Sequence, residues 1–300
     1  MRTLVVILAG LGVLLLFQAQ LRAGSTAFAA ASSFATASSF AASSYRRDRS
    51  DTGSSAASRR RCSPTSYVLE PSELPKGLPG GAGEPLHLTF ATSSVEEMLT
   101  NWARHMRRLS LPAIIAAMDQ TTVDQCIGLR VHCLPVFDRT MDEAMATEAR
   151  HQGQKDASAV NIRGNPTLFI SLGARKVQSI LLLLQTSGRP VVVSDADVVW
   201  LGDPSSLISG ERRGYEDFAH ADILASTDCL DPRYDEEDNG CFHVLLDRNT
   251  GILVVRNTSA AVASMIEWKA RTAGAFQAWE TDQTAFDDLL RGRGHGTRRN

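Results

Sequence analysis

Val191-Val192-Val193-Ser194-Asp195-Ala196-Asp197-Val198-Val199-Trp200 is the stretch whose reading decides the fold. Consecutive valines without polar alternation mark a strand covered on both faces, as in a parallel sheet between helices. Just upstream, residues 172–185 carry Val177, Ile180, Leu181 and Leu184 at helical spacing, and Gly188 offers a stop. A helix delivered into a doubly covered strand is half of a βαβ unit.

The same alternation extends in both directions. Residues 86–92 alternate as a strand, and Ser94-Val95-Glu96-Glu97 offers a capping box to a helix striped by Met98, Trp102, Met106 and Leu109. Pro112 ends that helix, residues 113–118 form a short buried strand closing on Asp119, and residues 129–134 form another. Downstream, strands are expected at 222–226 and 251–255, with helices near 260–272 and 281–290. Strands alternating with helices specify an α/β fold around a mostly parallel sheet. Ligands of such sheets bind outside the carboxyl ends of the strands. That rule selects Thr89 to Thr92, Asp119, and Ser194 to Asp197.

Composition narrows the function. The 300 residues are 43% hydrophobic and 21% charged, and 31 Lys and Arg against 33 Asp and Glu leave a net charge of −2. There is no basic field of the kind that holds nucleic acid. No P-loop, nucleophile elbow or Gly-rich dinucleotide fingerprint is present, which removes support for kinase, hydrolase and dehydrogenase chemistry.

The informative chemistry is the pair Asp195 and Asp197. On a continuing strand both side chains would share one face, with Cα atoms roughly 7 Å apart. Two neighbouring carboxylates in an apolar setting repel, and a hard divalent cation removes that penalty. The cation can then clamp a diphosphate and neutralise charge on a departing nucleoside diphosphate. The competing reading is a strand-end turn in which either aspartate caps backbone amides.

Asp195-Ala196-Asp197-Val198-Val199-Trp200-Leu201-Gly202-Asp203-Pro204 resembles the Asp-x-Asp-Val-Val-Trp-Leu-x-Asp-Pro signature of plant and algal nucleotide-diphospho-sugar transferases, glycosyltransferase family 77. Further pieces resemble that family in the same order: Asn101-Trp102, Met118-Asp119-Gln120-Thr121-Thr122, Lys176, Asn249-Thr250-Gly251, Trp268 and Asp282-Gln283. The similarity covers about residues 86–290. It implies a GT-A-type fold and retaining transfer from a UDP-sugar, a pentose or galactose donor, with Mn²⁺ (or Mg²⁺). Asp197 and Asp195 would bind the metal, Asp195 also touching the ribose. Thr89, Ala91, Thr92 and Asp119 would line the nucleoside pocket, and Lys176 would approach the diphosphate. Asn249, Thr250, Gly251, Asp282 and Gln283 would face the donor sugar or the acceptor, a glycan or hydroxyproline-rich glycoprotein. Asn249 also suits an Asx turn and Asp282 a helix start. Trp200 and Trp268 are expected in the core. No catalytic base or nucleophile is assigned. The family also carries an acceptor-binding region and a late metal-binding His beyond the Asp-Gln helix. Here that stretch is Arg291 to Gly296, so the domain is expected to be short at this end, with His295 the nearest substitute.

Two other functions fit parts of the pattern. One is a non-catalytic or truncated transferase-like subunit. The other is a haloacid dehalogenase-like phosphatase, whose motif Asp195-Ala196-Asp197-Val198-Val199 also satisfies. Phosphatase chemistry needs a later acidic pair at a strand end, and the available pair, Asp287-Asp288, falls in a helical segment.

The amino-terminal part is of a different physical kind. Residues 4–17 are uninterrupted apolar residues behind Arg2, reaching roughly 21 Å as a helix against a hydrocarbon core of ~30 Å. Residues 1–23 are read as a signal anchor or signal peptide, favouring a Golgi-lumenal domain held at a membrane. A secreted or endoplasmic-reticulum protein is the alternative, and a plastid transit peptide a lesser one. Residues 24–85, rich in Ala, Ser, Arg and Pro, read as a flexible stalk, and residues 86–300 as the transferase domain. Of five cysteines, Cys126/Cys133 and Cys229/Cys241 are locally spaced couples, disulfides in a lumen and thiols elsewhere. Cys126, His132 and Cys133 make only part of a zinc pattern.

Overall fold

The computed structural model describes residues 5–8, 77–155, 160–227, 248–278 and 281–292. Its strands are β1 (Val5–Leu8), β2 (Leu86–Ala91), β3 (Ala113–Ala117), β4 (His132–Pro135), β5 (Val191–Ser194), β6 (Ile223–Thr227) and β7 (Arg248–Val255). They form one sheet in the order β1-β6-β7-β5-β2-β3-β4. Every neighbouring pair is parallel except the two made by β7, which runs against both β5 and β6. The carboxyl ends of β2, β3, β5 and β6 therefore share an edge with the amino end of β7. This single reversed strand carries Asn249-Thr250-Gly251 to the rim where Asp195 leaves β5.

The helices are α1 (Glu96–Arg108), α2 (Gln120–Leu129), α3 (Arg139–His151), α4 (Pro166–Ser187), α5 (Ser205–Ile208), α6 (Ser259–Ala278) and α7 (Asp282–Leu290). One face of the sheet offers Leu86, Leu88, Val191, Val193, Leu253 and Val255 to a continuous apolar core with α3, α4, α6 and α7. Residues of the other parity, such as Val192 and Ser194, lie under α1, whose Leu99, Trp102, Ala103 and Met106 are buried. Both faces of β5 are thus covered, as its unbroken valines require.

α4 is apolar almost throughout and long enough to cross a bilayer, yet most of it is buried in the domain. Its apolarity comes from packing on three sides, and the expected inward set Val177, Ile180, Leu181 and Leu184 is all buried. Gly188 ends it in the left-handed conformation, φ 68°. The helix starts six residues earlier than residue 172, because Asn165 caps Leu168 N–H and Pro166 suits the first turn.

Several expectations change in the structure. Ser94 does not form a capping box: α1 begins after a 3₁₀ turn at Ser93–Val95 with no side-chain cap, and the Ser94 hydroxyl pairs with that of Thr92. Met98 is 50% exposed, and Leu99 takes its place in the core. The strand expected at 129–134 shrinks to β4, because α2 runs to Leu129 and Arg130 caps it in a left-handed turn. The segment 77–85 is tied to the domain, since Arg189 donates from Nε to Glu84 O at 2.6 Å and from Nη1 to Pro79 O at 2.7 Å. Of the targeting segment only Val5–Leu8 is described, as a strand beside β6; the rest, and residues 24–76, lie outside the described residues. Cys126 and Cys133 are free thiols, Cys126 buried. Cys229, Cys241 and His295 fall outside the described residues.

Candidate functional site

Register builds the site. Leu88 on β2 aligns with Val193 on β5, so Phe90 to Thr92 reach the level at which Asp195 emerges. On the other side Ser194 pairs with Ile252. The β6–β7 pairing breaks between Ala225 and Ser226: Ala225 faces Leu253, whereas Ser226 faces Asn249, so Thr250 to Ile252 bulge out of that ladder. Bulges re-aim side chains at sheet edges. Here the bulge turns toward Asp195, whose N–H donates to Gly251 O at 2.8 Å.

The strand does not continue through the acid pair. Val198 N–H closes on Asp195 O at 3.0 Å, a turn that replaces the shared strand face expected from spacing alone. Asp195 is half-exposed, and Lys176 donates to its Oδ1 at 3.2 Å. The other oxygen, Oδ2, borders Gly251. A Cβ there would lie 2.9 Å from Asp195 Oδ2 and 2.7 Å from Asn249 Oδ1, so only glycine admits both neighbours. Asp197 is exposed at the rim, but the protein around its carboxyl still withdraws water. That desolvation, then the Asp195 charge, raises its pKa above the usual carboxylate range.

Lys176 is a buried hub rather than an open cation. Besides Asp195 it donates to Thr250 O at 2.9 Å and lies 3.7 Å from Asp282 Oδ2. Its ammonium also sits over the Phe90 ring, 5.8 Å from the centroid. Burial alone would lower its pKa, but the charges of Asp195 and Asp282 outweigh burial and raise it. One lysine thereby joins β5, β7 and α7. Its expected role at the diphosphate gives way to that of an internal counter-ion, because its donors already face protein acceptors.

Residues from β7 and α7 come together beside Asp195. Thr250 Oγ1 donates to Asp282 Oδ2 at 3.2 Å, and Thr250 N–H points at Gln283 Oε1 at 3.5 Å. Asn249 Oδ1 accepts from Gly251 N–H at 2.6 Å, an Asx turn that shapes the bulge. Trp268, fully buried, donates to Asp282 O at 2.9 Å and fixes the start of α7.

The β2–β3 side is more closed. Thr89 is fully buried on the α1 face and cannot line an open nucleoside pocket; Ala91 and Thr92 are also buried, at the strand end. Asp119 is buried with both oxygens engaged. Oδ1 accepts from Thr122 N–H at 2.7 Å and Thr122 Oγ1 at 2.8 Å. Oδ2 accepts from Ser93 N–H at 2.7 Å and Ser93 Oγ at 3.0 Å. Four donors fill a carboxylate, so Asp119 caps α2 and ties it to the β2 exit instead of offering oxygens to a nucleoside. Asp287, of the Asp287-Asp288 pair, is buried on α7 between Arg248, at 2.8 Å, and Arg291. It is not at a strand end as phosphatase chemistry needs.

Sequence reasoning missed Arg163, on the 3₁₀ turn Ile162–Gly164, whose positive charge acts on the Asp197 carboxylate. Its flanking Gly and Asn gave no periodic signal. The ligand set fits a hard divalent cation: two carboxylates at one turn, one oxygen bordering a glycine, and a mutual repulsion that a cation would relieve. Among the described residues no cluster of three or more His, Cys, Asp or Glu side chains forms, so this pair would supply two protein ligands.

A search of curated proteins gives no match to this chain. The family model for nucleotide-diphospho-sugar transferases matches residues 111–298, taking in β3 through α7 and the whole acid-pair rim. β2 and α1 precede the matched span, but β2 pairs with β3 and α1 reaches the same sheet through Trp102 on Ser194. The sheet, with its doubly covered strands and its acid pair at a carboxyl edge, is an α/β fold of GT-A-like type. The chain belongs to the nucleotide-diphospho-sugar transferase family.

Proposed function

We propose that this domain is a family 77 glycosyltransferase that takes a pentose or galactose from a UDP-sugar and passes it, with retention, to a glycan or hydroxyproline-rich glycoprotein. We place it in the Golgi lumen. The observation that carries the reading is the Asp195–Asp197 turn, with one acid held by a buried lysine and the other left at the rim. A Mn²⁺ or Mg²⁺ ion on these carboxylates would supply charge neutralisation for the diphosphate.

The chain's own residues set the rest. Lys176 holds Asp195 and Asp282 in one arrangement across two elements. The bulge at Thr250–Ile252 brings backbone close to the acid pair, and the missing Gly251 side chain lets Asp195 and Asn249 approach it. Arg163 adds positive charge on the rim, suited to phosphate oxygens. In transfer, the bond from the sugar's anomeric carbon to the diphosphate breaks, UDP keeps the electron pair, an acceptor hydroxyl oxygen bonds to that carbon, and the hydroxyl's proton passes to the departing diphosphate.

The test is UDP release from a panel of UDP-pentoses and UDP-galactose by the full chain, with Mn²⁺ and with EDTA. Metal-dependent release from one donor, lost in Asp197→Ala, is expected. UDP binding with no release from any donor would favour the non-catalytic subunit.

A further inference from the structure

The Asp195–Asp197 turn is pinned from beneath by a group the reaction does not use. Ser194, the last residue of β5, is 1% exposed, and its Oγ accepts two indole N–H groups. Trp102 reaches it from α1 at 2.8 Å, and Trp200 folds back over the turn to reach it at 3.1 Å. A hydroxyl oxygen has two acceptor positions, so the two indoles fill it.

Trp200 is anchored at further points. Its carbonyl accepts from His105 Nδ1 at 3.1 Å, and its ring meets His87 edge to face at 6.0 Å. His87 is buried, which lowers its pKa to about 4 and keeps the ring uncharged near neutral pH. Five residues separate Ser194 from Trp200, and Asp195 to Val199 must span the loop between these two fixed ends. With both ends fixed, the turn has few conformations left. Within that loop Asp195 is held further by Lys176 and by its own N–H on Gly251 O, whereas Asp197 makes no ion pair among the described residues.

We propose that Ser194 is a positioning residue, whose hydroxyl, shared by the indoles of Trp102 and Trp200, sets the conformation of the Asp195–Asp197 turn for donor binding. The donor-binding part rests on the transferase reading above; the turn-setting part stands without it. Removing the hydroxyl leaves two buried indole N–H groups unpaired, and the cheapest relief is for Trp200 to leave its site and drag the loop with it.

The experiment compares the native full chain with Ser194→Ala, Ser194→Thr and Trp200→Phe. Backbone hydrogen exchange over residues 195–198 is read without ligand, and UDP affinity is read in Mn²⁺. In Ser194→Ala, exchange at these amides is expected to quicken about tenfold and UDP affinity to fall about tenfold, with far-UV circular dichroism unchanged. Ser194→Thr, which keeps the acceptor, restores both. Should Ser194→Ala fail to fold, Trp200→Phe decides, since it drops one N–H while keeping an apolar ring, and the same two changes are expected at smaller size. Native exchange at 195–198 in the folded variant would overturn the proposal. So would quickened exchange with native UDP affinity, because the turn would then not matter to the donor. If the native chain binds no UDP, the transferase reading fails, and the exchange data alone decide whether Ser194 sets the turn.

Discussion

Two strand ends in this sheet carry aspartates, and the protein treats them in opposite ways. At the end of β3, Asp119 is buried and receives four hydrogen bonds from Ser93 and Thr122. At the end of β5, Asp195 is half-exposed with one lysine partner, and Asp197 stands at the rim with a raised pKa. Both are acids at the carboxyl edge of a parallel sheet, the place where such folds bind ligands. What separates them is the supply of local donors. Asp119 sits at a helix start, with Thr122 three residues on and Ser93 packed opposite, so its charge is neutralised within the fold. The Asp195–Asp197 turn leads to no helix start of its own, and its second acid remains available.

Four measurements sharpen or break this contrast. The largest effect is expected from Lys176→Met, which leaves Asp195 and the nearly buried Asp282 without their shared cation; breaking such a pair costs roughly 3–5 kcal/mol, read by urea unfolding. A loss below about 1 kcal/mol would mean the hub is not structural. Next, Asp119→Ala should cost roughly 2–4 kcal/mol through the lost cap and the orphaned Ser93 and Thr122 donors. Its UDP affinity, measured on the folded fraction, should stay within about threefold of native, a difference under 1 kcal/mol. A large affinity loss with little loss of stability would move Asp119 back into the nucleoside pocket.

Asp197→Ala should reverse that pattern. Mn²⁺-dependent UDP affinity is expected to fall about a hundredfold, or ~2.7 kcal/mol, with thermal stability equal or higher. The sign follows from linkage: a carboxyl whose folded pKa is raised adds stability at low pH, and that stability is lost as pH rises through the raised value. Removing the acid therefore removes a penalty present at neutral pH. The smallest effect is on the pH profile. Because the cation needs the ionised acid, Mn²⁺-dependent affinity should begin to fall at a pH above the ordinary carboxylate range, by about tenfold per pH unit below the raised pKa. A profile that stays flat down to the ordinary carboxylate pKa would show that neither desolvation nor the Asp195 charge raises the Asp197 pKa.

Much of this was legible in the residues. The valine run gave β5 with both faces covered, and the Leu181 and Leu184 stripe gave the buried side of α4. The acid pair and the Asn249-Thr250-Gly251 and Asp282-Gln283 pieces come together at one edge, an arrangement set by the reversed β7 that no local pattern announces. α3 was missed although its signals were present: Asp138 caps Met141, and Met141, Met145 and Ala149 repeat at helical spacing. α2 was harder, since β-branched threonines and a glycine weaken its pattern, and its defining feature is the Asp119 cap. The internal partners of Lys176 and Asp119 were not legible, because a sequence shows which groups can bind a ligand and not which partners already occupy them. The Ser194 clamp depends on Trp102, 92 residues away, a contact set by tertiary packing alone.

The central claim is that the β5 turn is a cation-dependent site for a nucleoside diphosphate. Calorimetric titration of UDP into the full chain tests it directly, first with Mn²⁺ and then with EDTA. Saturable binding in Mn²⁺ that EDTA abolishes is the predicted result. Equal binding in both conditions, or none by a folded chain in Mn²⁺, would contradict it.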